Sequence, residues 1–246
     1  MKKFISAKRF ISALLCTVLI FAFLPSFGFA ENGESLEFEK NVSLLNLAGV
    51  VSQTSFSDAE LLANVSRADF LYYVSKLLKI EEQPNVDEEY FTDLEGHWAG
   101  KLVSRFVQMG VIWPGDDRIF RPEDAVTRDE AAKIITSVLG YDALARVNGG
   151  YPSGYLLIMS RLGIFPNGVG ENITFAEVIY ALANALEAPC YEIKSLEGGT
   201  VYYEQDGENT LLKVYHGIKS DEGYVTSFGN MSLDGISADG DIMYIG

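Results

Sequence analysis

Cysteine is nearly absent from this chain of 246 residues: Cys16 and Cys190 are the only two. Histidine is as scarce, with His97 and His216 alone, and 19 Lys and Arg stand against 34 Asp and Glu. Each scarcity excludes something. Cys16 lies in an N-terminal apolar run expected to be cleaved, which leaves Cys190 alone and no intrachain disulfide. For an exported chain, that argues for a large cysteine-poor surface protein rather than a small disulfide-stapled one. The acidic balance argues against nucleic acid, whose binding relies on Lys and Arg neutralising phosphates. It argues equally against adsorption to anionic lipid. Beyond the N-terminus, no apolar stretch approaches the ~18 residues that mark a spanning helix.

Residues 1–30 read as a secretory signal peptide. Lys2, Lys3, Lys8 and Arg9 precede a mostly apolar run from Ile11 to Leu24, Pro25 breaks it, and Gly28-Phe29-Ala30 offers small residues at the cleavage positions. Leu15 before Cys16 is wrong for a lipoprotein signal, which calls for Gly or Ala. Cleavage removes four of the nineteen basic residues and no acidic one, leaving 15 against 34 and a net charge of −19. No membrane contact is expected after cleavage. Apolar residues make up 48% of the full chain of 246 residues, enough for a core.

What is present is a repeat. AVTRDEAAKIITSVLG (125–140) has Thr127 as N-cap, with Glu130 placed to reach back to the cap N–H. Ala131, Ile134, Ile135, Val138 and Leu139 follow at helical spacing. Arg128 is the misfit, a positive charge at the positive end of a helix dipole, at a cost of ~0.3–1 kcal/mol when exposed. Two relatives share the layout: VSRADFLYYVSKLLK from Val65 and ITFAEVIYALANALE from Ile173. Their caps are Ser66 and Thr174, their acids Asp69 and Glu177, and their apolar positions run in one phase. Phe70, Val74, Leu77 and Leu78 carry the first, and Val178, Leu182, Ala185 and Leu186 the third.

A first helix and a glycine stop precede each cap. HWAGKLVSRFVQMGVI places Trp98, Leu102, Val103, Phe106 and Met109 on one apolar side before Gly110. Val42, Leu45 and Ala48 precede Gly49, and Tyr151, Leu156, Met159 and Leu162 precede Gly163. The glycine-to-cap interval is 17 residues in the first two copies and 11 in the third. Neither helix buries its stripe alone, so the units are expected to pack on one another.

The stretch from Phe91 to Gly140 resembles an S-layer homology domain, with Phe-x-Asp, His-Trp-Ala, the Gly-Val/Ile loop, Phe-x-Pro and Thr-Arg-x-Glu in order. The flanking copies, about 40–80 and 150–188, resemble diverged members. The first lacks His-Trp-Ala and reads Ser-Arg-Ala-Asp, and the third reads Thr-Phe-Ala-Glu. The join LGYDALARVNGGYPSGYLLIMSRLGI is similar to that of surface proteins from clostridia-like bacteria. The resemblance implies a mainly α fold over 31–188, a pseudo-threefold bundle with grooves between units. It implies non-covalent anchoring to the cell wall through anionic, often pyruvylated, secondary polysaccharide attached to peptidoglycan. Other S-layer subunits are a second implied partner; no cofactor and no metal are implied.

Carried over residue by residue, Arg128 is the principal implied sugar contact and Arg67 the second. Phe175 holds the third position and cannot pair with an anion, so at most two grooves are expected to work. Trp98 matches the family aromatic, with Tyr151 as its stand-in, and Asp93 and Gly110 match the opening acid and the loop glycine. A guanidinium beside free helix N–H groups would form a carboxylate site. Plainer readings stand beside these. Trp98 at helical spacing favours core over sugar platform, Arg128 has Glu123 and Asp124 within reach as partners, and His97 reads as a capping residue. Asp93 reads equally as a cap of the helix carrying Trp98.

After Pro189, CYEIKSL, TVYYEQD, TLLKVYHGI and EGYVTSF alternate apolar and polar residues, which predicts a small β-rich module over 190–246, cut short at the end. No G-x-S-x-G, H-E-x-x-H, Walker A or EF-hand loop is present, and Asp239 and Asp241 read as a solvated turn. The expected activity is binding rather than catalysis. The alternative is a surface hydrolase whose catalytic module lies past residue 246.

Overall fold

A computed structural model describes residues 33–80, 90–165, 171–197 and 200–218. The expected signal peptide and EGYVTSF lie outside them. The chain divides after Lys40, and the account concerns the unit from Asn41 onward. The described part is mainly α-helical with one small antiparallel sheet. In order, α1 is Gly33–Leu47, α2 Asp58–Leu62, α3 Arg67–Leu77, α4 Gly100–Gln108 and α5 Arg128–Val138. Then come α6 Asp142–Val147, α7 Ser153–Arg161, α8 Phe175–Glu187, β1 Pro189–Glu197, β2 Thr200–Thr210 and α9 Leu211–His216. Among the described residues, no helix is long and apolar enough to cross a membrane.

Helices α1, α4 and α7 stop in the same way. Gly49, Gly110 and Gly163 follow them with φ of 73°, 71° and 65°, a conformation that costs glycine least. Each glycine N–H donates three residues back (to Asn46, Val107 and Ser160). The next N–H, from Val50, Val111 or Ile164, donates to Leu45, Phe106 or Met159. That is the Schellman arrangement, and both side chains of each of these last pairs are buried, which completes its apolar contact.

Helices α3, α5 and α8 begin on Ser66, Thr127 and Thr174, whose hydroxyls accept from the backbone of Asp69, Glu130 and Glu177. The segments leading into these caps hydrogen-bond in a closed ring. Val65 N–H donates to Ile173 O (3.3 Å), Ile173 to Val126 O (3.3 Å), and Val126 back to Val65 O (2.9 Å). A second ring runs beside it. Arg67 N–H donates to Asp124 O (2.9 Å), Arg128 to Glu171 O (2.8 Å) and Phe175 to Ala63 O (2.9 Å). First-turn N–H groups, which no helix can satisfy internally, are thus met by carbonyls of the neighbouring segment. Val65, Val126 and Ile173 are buried at the centre, so these bonds are shielded from water.

The predicted stripes of α3 and α8 are buried as expected, and so are Val42, Leu45 and Ala48. Along α5 the buried face is shifted: Ala131, Ala132, Ile135 and Thr136 lie inside, while Ile134 and Val138 are half-buried. Other expectations fail, among them the apolar side before Gly163, where Tyr151 is 55% exposed. Trp98 and Met109 are not core residues, being 56% and 42% exposed: α4 spans Gly100–Gln108, so one precedes it and the other follows it, and its buried residues are Val103, Ser104, Phe106 and Val107. TLLKVYHGI is not a strand. Thr210 caps a helix by accepting from Lys213 N–H (3.2 Å), Leu211 and Leu212 are adjacent and both buried, and Gly217 ends it at φ 67°.

β1 and β2 form a hairpin with register shifts at Pro189/Cys190 and Ile193/Ser195. It is tied to the helices by Tyr141 Oη donating to Pro189 O (2.9 Å) and Tyr191 N–H donating to Leu139 O (2.8 Å). Tyr141 and Tyr191 stack at 4.8 Å, and His216 Nε2 lies 2.9 Å from Leu77 O.

Candidate functional site

The two hydrogen-bond rings create three junctions, each made the same way. The first residue of one capped helix meets the N-terminal acid of the next helix and a phenylalanine from the loop leading into it. At the first junction Arg67 pairs with Glu130 and lies over Phe120 (4.9 Å). At the second, Arg128 Nη2 pairs with Glu177 Oε1 at 2.6 Å and lies over Phe165 (5.3 Å). At the third, Phe175 takes the arginine's place and meets Phe56 edge-on at 5.1 Å, and Asp69 stands where the other two have glutamate.

The partner of Arg128 is therefore neither Glu123 nor Asp124. Glu123 lies 2.9 Å from His97 Nε2, while His97 Nδ1 accepts from Ala99 N–H (3.1 Å), the capping role expected of it. Glu177 serves twice: Oε2 accepts from Thr174 N–H (2.9 Å) and Oε1 meets Arg128. The positive charge at the start of α5 is thus neutralised by an acid at the start of α8. Two of the helix N–H groups expected to be free beside Arg128 are already taken. Its own N–H is taken by Glu171, and that of Glu130 by Thr127 Oγ1 (3.2 Å).

The arginines still have unused donors. Arg67 Nε, Arg128 Nε and Arg128 Nη1 are buried without a hydrogen-bond partner. A buried donor left unmet costs about 1–3 kcal/mol, so an acceptor that enters either junction recovers that cost.

The other expected site residues are dispersed. Asp93 pins a loop: Oδ1 accepts from Phe120 N–H (2.8 Å) and Oδ2 from Arg121 N–H (2.7 Å). Burial pushes its carboxyl up, but these N–H groups, its own and the Arg121 guanidinium outweigh burial and hold it below the usual carboxylate range. Asp93 does not cap α4, whose N-cap position is Ala99. Gly110 is required by the helix stop, and a Cβ there would meet only the Trp113 ring, at 3.7 Å.

Trp98 lies against Tyr72 of α3 (6.1 Å), and ring contacts continue through Tyr73 to Phe175, so it belongs with the third junction rather than with either arginine. Tyr151, at the same distance before its glycine, lies over α5 with Lys133 6.0 Å from its ring. Burial and then Glu130 and Asp129 push its hydroxyl up, with Arg67 opposing. It therefore flanks the first junction.

The family model of the S-layer homology domain matches residues 90–132. That span holds Asp93, Trp98, Gly110, Phe120, the cap Thr127, Arg128 and Glu130. Relatives carry the likeness further along the chain. A cellulosome-anchoring protein of Acetivibrio thermocellus is 32% identical over 101 residues, 41% of this chain and 22% of its own length. A middle cell wall protein of Brevibacillus brevis is 25% identical over 220 residues, covering 85% of this chain and 20% of its own length. A surface layer protein of Brevibacillus choshinensis is 26% identical over 209 residues, with 83% and 18% coverage. The chain thus spans about a fifth of the length of the curated relatives it matches.

The residues missed from sequence are the ring partners Phe56, Phe120 and Phe165 and the acceptors Glu130 and Glu177 in their second role. A signal existed for the phenylalanines, since each stands in the loop shortly before a capped helix.

Proposed function

We propose that this chain holds an exported, wall-associated protein to the cell surface without a covalent bond and without catalysis. In this reading three S-layer homology repeats are arranged about a pseudo-threefold axis, and anionic secondary wall polysaccharide binds at the junctions containing Arg128 and Arg67. The observation that carries it is the set of buried arginine donors left without partners in two junctions of identical make. A sugar carboxylate or ketal oxygen is an acceptor of the required kind. The printed names of the relatives, an anchoring protein, a wall protein and a surface layer protein, point the same way. Residues 1–30 are its secretion signal, and other copies at the surface are its second partner.

The test is capture of the chain on purified sacculi before and after removal of the secondary polymer. Capture is expected to require the polymer and to fall at least tenfold in Arg67→Ala plus Arg128→Ala. Undiminished capture by the double variant refutes the assignment of the arginines. Capture that ignores polymer removal refutes the ligand.

A further inference from the structure

The third junction opens on a cleft of about 300 Å³ lined by Gln53, Phe56, Glu60, Asn64, Asp69, Tyr73 and Phe175, among others. Its chemistry is the reverse of the arginine junctions. No lysine or arginine lines it, and two carboxylates do. Asp69 Oδ2 accepts from Ser66 Oγ (2.7 Å) and Glu60 Oε2 from Ser57 Oγ (2.6 Å) and Ser57 N–H (2.7 Å). Asp69 Oδ1 and Glu60 Oε1 have no partner among the described residues. Tyr73 lies tilted against Phe175 (5.6 Å), and Phe56 meets Phe175 edge-on (5.1 Å). All three rings are half-buried, and Tyr72 and Trp98 prolong the row across α3 to the exposed surface.

We infer that this cleft is a second saccharide site that takes an uncharged pyranose, stacked on Tyr73, Phe175 and Phe56 with its hydroxyls donated to Asp69 and Glu60. An anion is excluded by the same carboxylates. At ~4 Å an unscreened like charge costs about 1–4 kcal/mol at surface dielectrics, and no cation lines the cleft to offset it. An ammonium over one of these ring faces is the competing occupant, and glucosamine is the arm of the test that addresses it. Phe56 meets Phe175 edge-on and Tyr73 lies tilted against it, so the three rings form one aromatic cluster lining the cleft, which suits the C–H face of a sugar ring. The volume, at the lower end of small-ligand clefts, suits one or two sugar rings. Burial, then Asp69 and Tyr72, push the Tyr73 hydroxyl up, so it remains a protonated group able to donate to a ring oxygen. Gln53 and Asn64 bring amide groups able to meet further hydroxyls or an N-acetyl carbonyl.

The full chain is titrated with N,N′-diacetylchitobiose by calorimetry and by NMR saturation transfer, with glucosamine and a pyruvate-ketal hexose as charged comparisons. Millimolar binding of chitobiose is expected, insensitive to salt, with saturation received from aromatic protons. Phe175→Ala is expected to weaken it about tenfold, and Phe175→Tyr to keep it within twofold. Glu60 is exposed and Gln preserves the box with Ser57, so Glu60→Gln tests the site without endangering the fold. Its expected effect is a loss of about threefold. Absence of chitobiose binding, or binding unchanged in both Phe175→Ala and Glu60→Gln, overturns the proposal. Tenfold tighter, salt-sensitive binding of glucosamine overturns it in favour of ammonium recognition, and preference for the ketal overturns it in favour of an anion. A dimer that dissociates on Phe175→Ala assigns the cleft to a second copy and also overturns it. Polymer-dependent capture on sacculi is a separate readout, so either proposal can fail alone.

Discussion

Replacing Arg128 by alanine separates two roles for one side chain: a clamp between α5 and α8 and a donor to ligand. The pair with Glu177 is largely buried, with side chains 15% and 19% exposed. Breaking a fully buried pair costs about 3–5 kcal/mol, because the remaining charge is stranded. Here the residual exposure and the second bond of Glu177, to Thr174 N–H, soften that cost. Arg128→Ala is therefore expected to cost about 2–3 kcal/mol, which for a chain of this size lowers Tm by about 4–12 °C. Glu177→Gln also loses charge pairing but retains the capping box, so it is expected to cost less, about 1–2 kcal/mol. The double variant strands no charge, and the two losses should not add: a coupling of at least ~1 kcal/mol is expected in a double-mutant cycle. The assay is urea unfolding and thermal melting of the four chains at low salt. Coupling below ~0.5 kcal/mol, or an unchanged Tm in Arg128→Ala, refutes the clamp and leaves the arginine as a binding residue alone.

Gly140 has φ of 86°, and a Cβ there would stand 2.1 Å from Tyr191 O, so Gly140→Ala is expected to cost about 2–5 kcal/mol and to unstack Tyr141 from Tyr191 in near-ultraviolet dichroism. Burial, and then Glu192, push the Cys190 thiol up to about 11. In a chain with Cys16→Ser, reaction with a thiol reagent at pH 8 is expected to be at least ~100-fold slower than after unfolding. A raised folded value also means that this thiol's contribution to stability is intact below the unfolded value near 9 and is lost as pH rises through about 11. Asp93→Asn weakens the acceptor for two backbone N–H groups and is expected to cost about 1–2 kcal/mol at pH 7. The Asp93 carboxyl is held low, so its contribution is present above the unfolded value near 3.8 and fades as pH falls through the lower folded value. Denaturation of the two chains should accordingly converge at low pH.

The caps and glycine stops were legible because they are local: Thr127 and Glu130 are three residues apart, and Gly110 follows its own helix. The pairings were not. Arg128 and Glu177 are 49 residues apart, Arg67 and Glu130 are 63, and no helical periodicity says which helix start faces which. Trp98 was misplaced because it fits the phase of α4 while lying before the first residue of that helix. Alternation in TLLKVYHGI pointed to a strand, yet Thr210 and Gly217 are a cap and a stop, and two adjacent leucines bury together at the start of a short helix. The absence of arginine from the third copy was plain in Phe175. What replaced it, a row of rings beside two carboxylates, required knowing that Phe56, Tyr73 and Asp69 meet there.

The backbone rings explain why the junctions tolerate such different side chains. Two hydrogen bonds per junction, each contributing about 1 kcal/mol, come from main-chain groups that any residue carries. The first residue of each capped helix is therefore released from holding the bundle together, and its side chain sets the chemistry of the junction. Restoring arginine at the third position would not simply copy the other two. Asp69 is one methylene shorter than Glu130 and Glu177, and one of its oxygens already accepts from Ser66 Oγ. A guanidinium introduced by Phe175→Arg would also displace the ring that Tyr73 and Phe56 pack against. The aromatic and the shorter acid fit each other at this junction, as arginine and glutamate do at the first two.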